Sequence, residues 1–507
     1  MFFRKATQPP TTSPPPPPKW AEAVRKSLAE ELLGGSSGRS SDDLLFFPGS
    51  PEFADSETGY LTAQANEVRS AAVARPTSTA EVSALVQALK RSLPPSVTVA
   101  IRGGGHATFA GAAKAAGGVT VDMRGVRGIE ILDEGRRVRI AAGHRWNDVY
   151  AALEGHDPPL TTAGGRAGQV GRGFGADLVR AWEVVLASGR VVRASATGSS
   201  DEDEEDNDEE TNDLWDALRG GSTNFGIVTA VEMECFPHPE HFRGAYMFYL
   251  TPARQATLEA LVKVSQRPSH AADGPTEQPV VVDHVIWSIT HVPYVPFKII
   301  AVSSSSTGAV GQDNLSGFVA PWSRIPGTPT PRELTHGAYA KEVGDLGEKE
   351  GTRISYKSVS VKLDLDLLNT VIDMWYALRH RSVVRRPAAG NNNNSNNTAE
   401  ADANFFGLRP EDGPLVIVEI CHNWRRAADD AEAYAAVDAF LRDVDRVASE
   451  RGLGSRWVFP NYAQPDEKVM QAYGPERLAQ LKRVAERWDP DGFFQKRVVG
   501  GFKIEEK

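Results

Sequence analysis

The sequence predicts an α+β protein with two separate sheets, and three observations lead to this fold class. The chain has 507 residues, which is too long for one ordinary core, and its 41% content of hydrophobic residues indicates a globular protein. Over about residues 73–236, short β-branched runs alternate with helical patterns. From about Pro237 the texture changes, and longer apolar runs predict a second sheet of mixed or antiparallel type.

The first half contains most of the short elements. Pro-rich residues 1–19 predict a disordered leader, and helical spacing follows over residues 20–33. A helix is predicted after Pro76, because Leu85 and Leu89 share one helical face. Further strands are predicted over residues 97–102, 119–125, 137–143 and 226–236, a hairpin over 182–195 and helices over 146–154 and 212–219.

The second half contains longer elements. Strands are predicted over residues 280–289, 297–305 and 414–424, and an amphipathic helix over 429–452. A closing helix stops at Asp489, before a proline. The predicted organisation is a leader with a short helix at 1–45, a first domain at 46–238, a second domain at 239–455 with a low-complexity loop at 391–397, and a C-terminal segment at 456–507 that returns to the first domain.

The net charge of −10 comes from one segment. Residues 201–210 hold nine acidic residues, and without them the chain has 56 basic and 57 acidic residues. Like charges at this density cannot pack together, so the segment predicts a solvated insert. The near-neutral remainder gives no support for a nucleic-acid-binding surface.

Cysteine content and hydropathy exclude further classes. Cys235 and Cys421 are the only cysteines, which excludes a disulfide scaffold and a cysteine-rich zinc site. No apolar run has the length of a membrane span, and the N-terminus lacks the apolar core of a secretory signal, so we expect an intracellular protein that does not act at a membrane. His238 and His241 stand beside prolines without a helix to align them, so no metal site is predicted.

Two glycine-rich strings stand out. Residues 102–106, RGGGH, follow a strand, so the backbone there can approach a ligand closely and present a histidine. Residues 220–228, GGSTNFGIV, join a helix to a strand and suit a backbone cradle for a polar cofactor. Taken singly, each string is also compatible with an ordinary glycine turn or connector.

The order of several strings resembles a known family. The FAD-binding domain of the berberine-bridge-enzyme-like oxidoreductases, within the PCMH-type or vanillyl-alcohol-oxidase superfamily, is similar to five strings that occur here in the same order: RPTSTAEV, RGGGH, GGVTVDMR, WEVVLASGRVVRA and LWDALRGGSTNFGIVT. The C-terminal NYAQ and YGPERLAQLKRVAERWDPDGFF resemble the closing segment of the family. The resemblance covers about residues 76–237 and 457–504, and implies a PCMH-type FAD-binding domain followed by an α+β substrate domain.

The resemblance also implies which residues hold the cofactor. His106 matches the histidine that bonds covalently to the flavin 8α-methyl group. Ala167 stands where many members carry a second, cysteinyl link, so FAD with one covalent bond through His106 is expected. The remaining matches to the cofactor cradle are Arg102, Gly103, Gly104, Gly105, Ala107, Thr108, Gly220, Gly221, Asn224, Gly226 and Ile227.

Catalytic candidates come from the same resemblance. Tyr462 matches a tyrosine that often serves as the base beside the flavin, although simple packing against the flavin is an equal alternative. A phenol with a pKa near 10 needs a lowered pKa or a relay partner to act as a base at neutral pH. Glu419 and His422 are weaker candidates on opposite sides of their strand. Val170 matches the position that controls access of O2, and a valine there resembles oxidases.

One departure from the family leaves the function open. The family normally has a glycine-rich, flavin-wrapping loop after the position of Gly171, and here the chain runs directly into RGFGAD. The leading interpretation is an FAD-dependent oxidase of a small organic molecule with O2 as acceptor, and the alternative is a cofactor-deficient binding protein or pseudoenzyme. An NAD-dependent enzyme using residues 168–175 ranks last, because the strand, spacing and downstream acid of that fingerprint are missing.

Overall fold

The fold is described from a computed structural model. Predicted features at residues 1–14, 201–207 and 391–397 lie outside the residues that the structure describes, and so do residues 172–177, which follow Gly171. The described residues are 15–34, 38–171, 178–196, 208–238, 242–266, 283–291, 298–306, 325–347, 351–378, 387–389, 404–409 and 412–505.

Helices and strands occur throughout the described residues. The helices are α1 Ala21–Leu33, α2 Pro51–Ser56, α3 Ala63–Glu67, α4 Thr79–Ser92, α5 Trp146–Glu154, α6 Asp208–Leu218, α7 Arg254–Ser265, α8 His336–Leu346, α9 Leu365–Leu378, α10 Asp430–Glu450, α11 Val469–Ala472, α12 Pro475–Trp488 and α13 Phe493–Lys496. The strands are β1 Leu45–Phe46, β2 Ala72–Ala74, β3 Val99–Arg102, β4 Val119–Asp122, β5 Ile129–Leu132, β6 Arg137–Ala141, β7 Leu160–Thr161, β8 Val179–Val185, β9 Val191–Ser195, β10 Ile227–Glu234, β11 Phe236–Pro237, β12 Phe242–Leu250, β13 Asp283–His291, β14 Lys298–Ser306, β15 Thr328–Leu334, β16 Arg353–Lys362, β17 Pro387–Ala389, β18 Leu415–Trp424 and β19 Val498–Val499.

The first sheet is mostly parallel and has the order β1-β2-β4-β3-β19. Its last strand comes from the C-terminal segment, with Val498 opposite Val99. Helix α4 lies nearby and begins where the Ser78 hydroxyl accepts a hydrogen bond from the Glu81 amide. The predicted apolar face of α4, including Leu85 and Leu89, is buried in the core beside this sheet.

A second, antiparallel sheet has the order β5-β6-β10-β8-β9. The predicted hairpin is present as β8 and β9, with Gly189 at a φ of +83° in the turn. Helix α6 begins at Asp208, four residues before the predicted start at Asn212 and inside the acidic segment. Acidic residues at a helix N-terminus are favoured by the helix dipole, which accounts for the earlier start.

The third sheet is antiparallel and has the order β15-β12-β14-β13-β17-β18-β16. Helices α7, α9 and α10 cover one of its faces, and Trp287 of β13 packs there in one cluster with Leu261, Trp375 and Phe440. Because successive residues of a strand point to opposite faces, Glu419 and Cys421 of β18 lie on the other face. A two-stranded ribbon of β7 and β11 is separate from these sheets.

The predicted α+β class with a mixed or antiparallel second sheet is confirmed. In the part of the chain that the structure describes, no helix combines the length and apolarity needed to cross a bilayer. Within the same residues, no group of three or more His, Cys, Asp or Glu side chains is arranged to hold a metal ion.

Candidate active site

The first glycine string follows β3 and is anchored by Arg102. The Arg102 side chain is fully buried and donates hydrogen bonds to the carbonyl oxygens of Ser56, at 2.6 Å, and Thr58, at 2.8 Å. Its guanidinium carbon also lies 3.9 Å from the centroid of the Tyr60 ring. Arg102 therefore acts on residues 56–60 through its terminal nitrogens, while its Nε makes no hydrogen bond within the described residues.

The glycines after Arg102 differ in their surroundings. A Cβ atom added to Gly103 meets nothing within 4 Å, whereas one added to Gly104 lies 2.7 Å from the amide nitrogen of Gly171. Gly105 has a φ of +71°, which favours glycine. This loop presents His106 half-buried at its end, and Ala107 beyond it is exposed.

The segment before Gly171 closes one side of this loop. The Val170 carbonyl accepts a hydrogen bond of 3.1 Å from the Trp146 amide, and Val170 itself packs half-buried against a cluster that contains Trp146. The Arg145 guanidinium donates a hydrogen bond of 3.4 Å to the Gly104 carbonyl. The predicted positions Val170 and Gly104 are thus neighbours in the fold.

Tyr462 lies close to the same loop. Two residues after it, the Gln464 amide donates hydrogen bonds to the Thr108 hydroxyl, at 3.2 Å, and to the Tyr356 carbonyl, at 2.5 Å. The Tyr462 ring lies 5.7 Å from the Tyr356 ring and 5.0 Å from the Phe459 ring. Gln464 therefore connects Tyr462, the third sheet and the loop that carries His106.

The hydroxyl oxygen of Tyr462 accepts a hydrogen bond of 2.7 Å from the guanidinium of Arg166. Burial nevertheless raises the pKa of Tyr462 to about 12, although Arg166 acts to lower it. The pKa of the candidate base is therefore not lowered as one route to its activity requires. Arg166 acts against this rise but, as a permanent cation, cannot itself accept the phenol proton.

Glu419 supplies a second titratable group, on the face of the third sheet that helices α7, α9 and α10 do not cover. Burial raises the pKa of Glu419 to about 8, and Arg166 partly offsets this effect. His422 is buried on the helix-covered face of β18, with Ile420, so Glu419 and His422 lie on opposite faces as expected. Of these two candidates, Glu419 is the one that interacts electrostatically with Tyr462.

Arg166 is a site residue that the sequence did not single out. It stands in GGRAGQVG, where the motif comparison concerned the neighbouring Ala167. The available signal was its chemistry, because a lone cation in a stretch of glycine and alanine has no nearby acid. The contact with Tyr462 joins residues 296 positions apart and is not visible in local sequence.

The second glycine string makes its described contacts with protein groups. Asn224 is fully buried, and its amide donates to the carbonyls of Gly221, at 2.7 Å, and Phe502, at 2.8 Å. Its side-chain oxygen accepts a hydrogen bond of 2.7 Å from Gln495. Asn224 therefore joins this string to the C-terminal segment.

The other predicted positions of this string are tightly packed. Gly220 has a φ of +84°, and its carbonyl accepts a hydrogen bond of 3.0 Å from the Tyr473 hydroxyl. A Cβ atom would lie 2.0 Å from the Ala217 carbonyl oxygen at Gly221, and 2.4 Å from a Val184 methyl group at Gly226. Ile227 is buried at the start of β10. These glycines are required by the packing of the protein itself.

The C-terminal segment also connects the two strings. A Cβ atom at Gly500 would lie 1.9 Å from the Ala112 carbonyl oxygen, so the main chains are in direct contact there. Nearby, the rings of Phe109 and Phe502 are 6.2 Å apart. The first loop, Val170 and Tyr462 thus form one neighbourhood, and the second string reaches it through residues 500–502.

The first loop fits the flavin cofactor that the motifs imply. The open space beside Gly103, the half-buried His106 and the main-chain groups of three successive glycines suit a ligand that approaches the backbone closely. The contact between Gly104 and Gly171 limits that space on one side. His106 and Gly103 are accordingly the described residues best placed to hold the cofactor.

Comparisons with known proteins agree with this geometry. A family model described as FAD binding domain, FAD_binding_4, matches residues 70–195. The FAD-dependent monooxygenase FUP4 of Fusarium proliferatum is 26% identical over 481 residues, which cover 88% of this chain and 87% of that protein.

Two solved structures have similar folds at low sequence identity. The Physcomitrella patens BBE-like 1 wild-type structure is 18% identical with a TM-score of 0.69, covering 95% of this chain and 100% of that one. The 6-hydroxy-D-nicotine oxidase of Arthrobacter nicotinovorans is 17% identical with a TM-score of 0.68, covering 91% and 98%.

The matched domain defines an FAD-binding flavoprotein, and the fold is similar to that of berberine-bridge-enzyme-like structures. The resemblance found in the sequence is thereby confirmed. Within this class, the chain is an FAD-linked oxidoreductase with an FAD-binding domain at residues 70–195.

Proposed function

We propose that this protein is an FAD-dependent oxidase of a small organic molecule, with O2 as the electron acceptor. The observation that carries the proposal is the convergence of His106, Val170 and Tyr462 around one loop of the FAD-binding domain. The similarity to FUP4, which is an FAD-dependent monooxygenase by name, supports a reaction that involves O2. When bound, FAD supplies the two-electron acceptor for substrate oxidation, which amino-acid side chains do not provide.

The proposed cofactor residues act in two ways. His106 would hold the flavin through one covalent bond of its imidazole, and Gly103, Gly104 and Gly105 would present main-chain groups to the pyrophosphate. The buried Arg102 supports this loop from behind, because its side chain bonds to residues 56–60. Support for the single bond comes from the half-buried position of His106 and from Ala167, which cannot form a thioether.

The proposed proton acceptor is Tyr462, with Glu419 as a second candidate. Tyr462 is held by Arg166 and lies beside the substrate sheet. Glu419 has a pKa raised to about 8, so its carboxylate becomes available near neutral pH and above. As the substrate loses a hydride equivalent, one of these groups accepts the proton that the substrate releases.

The small-molecule substrate is proposed to lie against the face of the seven-stranded sheet that helices α7, α9 and α10 do not cover. Tyr356 and Glu419 of two paired strands belong to this face, and Tyr462 packs against it. Val170 lies in the wall beside the first loop, where we propose that it controls access of O2. A small β-branched residue leaves more room in a packed wall than leucine does.

The second candidate function is that of a cofactor-deficient binding protein or pseudoenzyme. The contact between Gly104 and Gly171 favours it, because two main chains meet at the place where the family has an additional glycine-rich loop. Inserting a family-like glycine loop between Gly171 and Arg172 then raises the flavin content of the purified protein strongly. Stoichiometric FAD in the unmodified chain contradicts this second candidate.

The experiment that tests the oxidase proposal starts from the absorption spectrum of the purified full-length protein. A bound flavin gives a visible spectrum, and anaerobic addition of substrate from a panel of small alcohols, phenols and amines bleaches it. Admission of air then restores the spectrum and releases peroxide. Protein that shows no flavin both with and without the inserted loop is not an FAD oxidase.

A further inference from the structure

The strongest unassigned contact in the candidate site is the one between Arg166 and Tyr462. The two residues come from different regions of the chain, since Arg166 precedes Val170 in the FAD-binding domain and Tyr462 lies in the C-terminal segment. The guanidinium approaches the phenol oxygen to 2.7 Å. Because the guanidinium is charged, this hydrogen bond is charge-assisted and therefore stronger than a hydrogen bond between neutral groups.

The donor and acceptor roles in this contact are fixed by chemistry. A guanidinium only donates hydrogen bonds, so the phenol oxygen of Tyr462 accepts, and its own O–H hydrogen points away from Arg166. The Tyr462 ring is held by two other rings, since its centroid lies 5.7 Å from that of Tyr356 and 5.0 Å from that of Phe459. Arg166 thereby selects the direction in which Tyr462 can exchange a proton.

The charged and titratable groups near Tyr462 come from several elements. Arg166 is the one cation that interacts with it in the described residues, while Glu419 and Cys421 of β18 and Tyr356 of β16 disfavour a negative charge. Tyr339 of α8 acts on Arg166. Arg166 keeps its own charge in this surrounding, because Tyr462 and Glu419 offset the effect of burial and its pKa is raised.

We propose that Arg166 is a positioning residue for substrate oxidation, which orients the Tyr462 hydroxyl by a charge-assisted hydrogen bond and stabilises Tyr462 when it is deprotonated. This inference rests on the proposed function in one respect, namely that Tyr462 accepts the substrate proton. The proton moves from the substrate to the phenolate oxygen, and the O–H bond formed there balances the X–H bond broken in the substrate. Arg166 neither gains nor loses a proton in this step.

The direct test measures the ionisation of Tyr462 without relying on turnover. Tyrosine labelled with ¹³C at Cζ is incorporated into the full chain, and the Tyr462 resonance is assigned by its loss in Tyr462→Phe. The resonance is then followed against pH by NMR. Because the pKa of Tyr462 is about 12, only the onset of its ionisation is reached near pH 11 in wild type. In Arg166→Met this onset is expected to be lost, because loss of an adjacent opposite charge disfavours the ionised form by about 1 to 3 pH units.

Two further variants separate positioning from a general structural role. Arg166→Lys keeps the positive charge but loses the planar donor group, so it recovers part of the lost effect. The control is Arg426→Met, which removes an exposed cation that is paired with Asp429 and makes no described contact with the site. This variant leaves the Tyr462 titration unchanged. Thermal unfolding of each variant reports whether the fold is retained.

The activity of flavin-containing protein gives an independent comparison. Arg166→Met lowers the rate of substrate-driven flavin reduction by about 10-fold to 1000-fold, which is the loss of phenolate that the change in pKa implies. The deficit persists at each pH up to about 11, because Tyr462 is mostly un-ionised over this range in both proteins, while the KM of the substrate changes little. A lower rate at an unchanged KM, partly restored by Arg166→Lys, is a result that loss of packing does not produce.

The possible outcomes distinguish this inference from the proposed function. A Tyr462 titration that is identical in wild type and a folded Arg166→Met overturns the role of Arg166, whatever the activity. An upward change in the Tyr462 pKa, partly reversed by Arg166→Lys, supports it even in protein that lacks flavin. Absence of flavin reduction in wild type overturns the oxidase proposal and leaves the titration result standing.

Discussion

The side-chain amide of Gln464 donates a hydrogen bond of 3.2 Å to the hydroxyl of Thr108, across 356 positions of sequence. Both residues are buried, so this bond is shielded from water. Each lies two residues from a candidate for chemistry, Gln464 from Tyr462 and Thr108 from His106. The bond therefore sets the distance between the proposed proton acceptor and the proposed attachment point of the flavin.

The first prediction concerns the covalent bond. His106→Ala leaves any bound flavin extractable by acid precipitation, whereas flavin in the wild type stays with the pellet, because the imidazole is the only proposed point of attachment. The control is His156→Ala, whose ring contacts the main chain of Pro158 away from the first loop. Equal retention of flavin in wild type and His106→Ala contradicts the assignment.

The second prediction concerns the contact between the glycine loops. Gly104→Ala lowers the free energy of unfolding by about 1–3 kcal/mol, because the new Cβ atom lies 2.7 Å from the Gly171 amide nitrogen. Gly103→Ala is the matched control and changes the stability by less than about 0.5 kcal/mol, since nothing lies within 4 Å of its Cβ position. Denaturant unfolding measures both values. Equal stabilities show that the two loops are not in contact.

The third prediction tests the proton acceptor. Tyr462→Phe keeps the ring contacts with Tyr356 and Phe459 and removes the hydroxyl, so the protein still binds flavin. Rapid-reaction measurements of flavin reduction by substrate are expected to slow by about 10²–10⁴-fold, as for loss of a general base. An unchanged rate removes Tyr462 from the mechanism and leaves Glu419 as the candidate.

The fourth prediction concerns pH and Glu419. Its pKa is raised from 4.5 to about 8 in the folded protein, so the neutral acid favours the folded state. This stability is fully present below about pH 4.5 and is lost as the pH rises through about 8. Melting temperatures of wild type therefore fall more steeply over this window than those of Glu419→Gln, which cannot ionise.

The control for this pH dependence is Glu432→Gln, which changes an exposed acid at the start of α10. Its melting temperature follows that of wild type at each pH. Parallel curves for wild type and Glu419→Gln contradict the raised pKa and show that Glu419 titrates in the ordinary range.

The fifth prediction concerns Val170. In flavin-loaded protein, Val170→Leu slows the reoxidation of reduced flavin by air, because an added methylene in a packed wall narrows the path for O2. Stopped-flow absorbance with buffers of known O2 content measures the rate. Slow reoxidation in wild type, together with fast oxidation by an artificial acceptor, indicates a dehydrogenase instead.

Local patterns were sufficient for much of the fold. The apolar face of α4, the hairpin of β8 and β9 and strands β13, β14 and β18 follow from periodicity and turn residues that lie within a few positions of one another. Strands β12, β15, β16 and β17 of the third sheet were not predicted. The start of α6 at Asp208 was missed, because repulsion among acids outweighed the preference of acids for a helix N-terminus in the sequence argument.

The candidate site depended on contacts that no local pattern contains. The glycines of both strings were identified from sequence, but the engagement of Asn224 with Phe502 joins residues 278 positions apart. The contact of Arg166 with Tyr462 joins residues 296 positions apart. Which polar side chain faces a ligand and which one holds the protein together is decided by such pairings.

The pairing of β19 with β3 has a consequence for biosynthesis. Val99 pairs with Val498, which is synthesised nearly 400 residues later. The first sheet therefore lacks its last strand until the third sheet has been synthesised. Residues 500–502, which contact Ala112 and Asn224, are synthesised later still. A flavin that binds at this site would therefore find it complete only at the end of synthesis, although most of the residues that would hold it are translated in the first half of the chain.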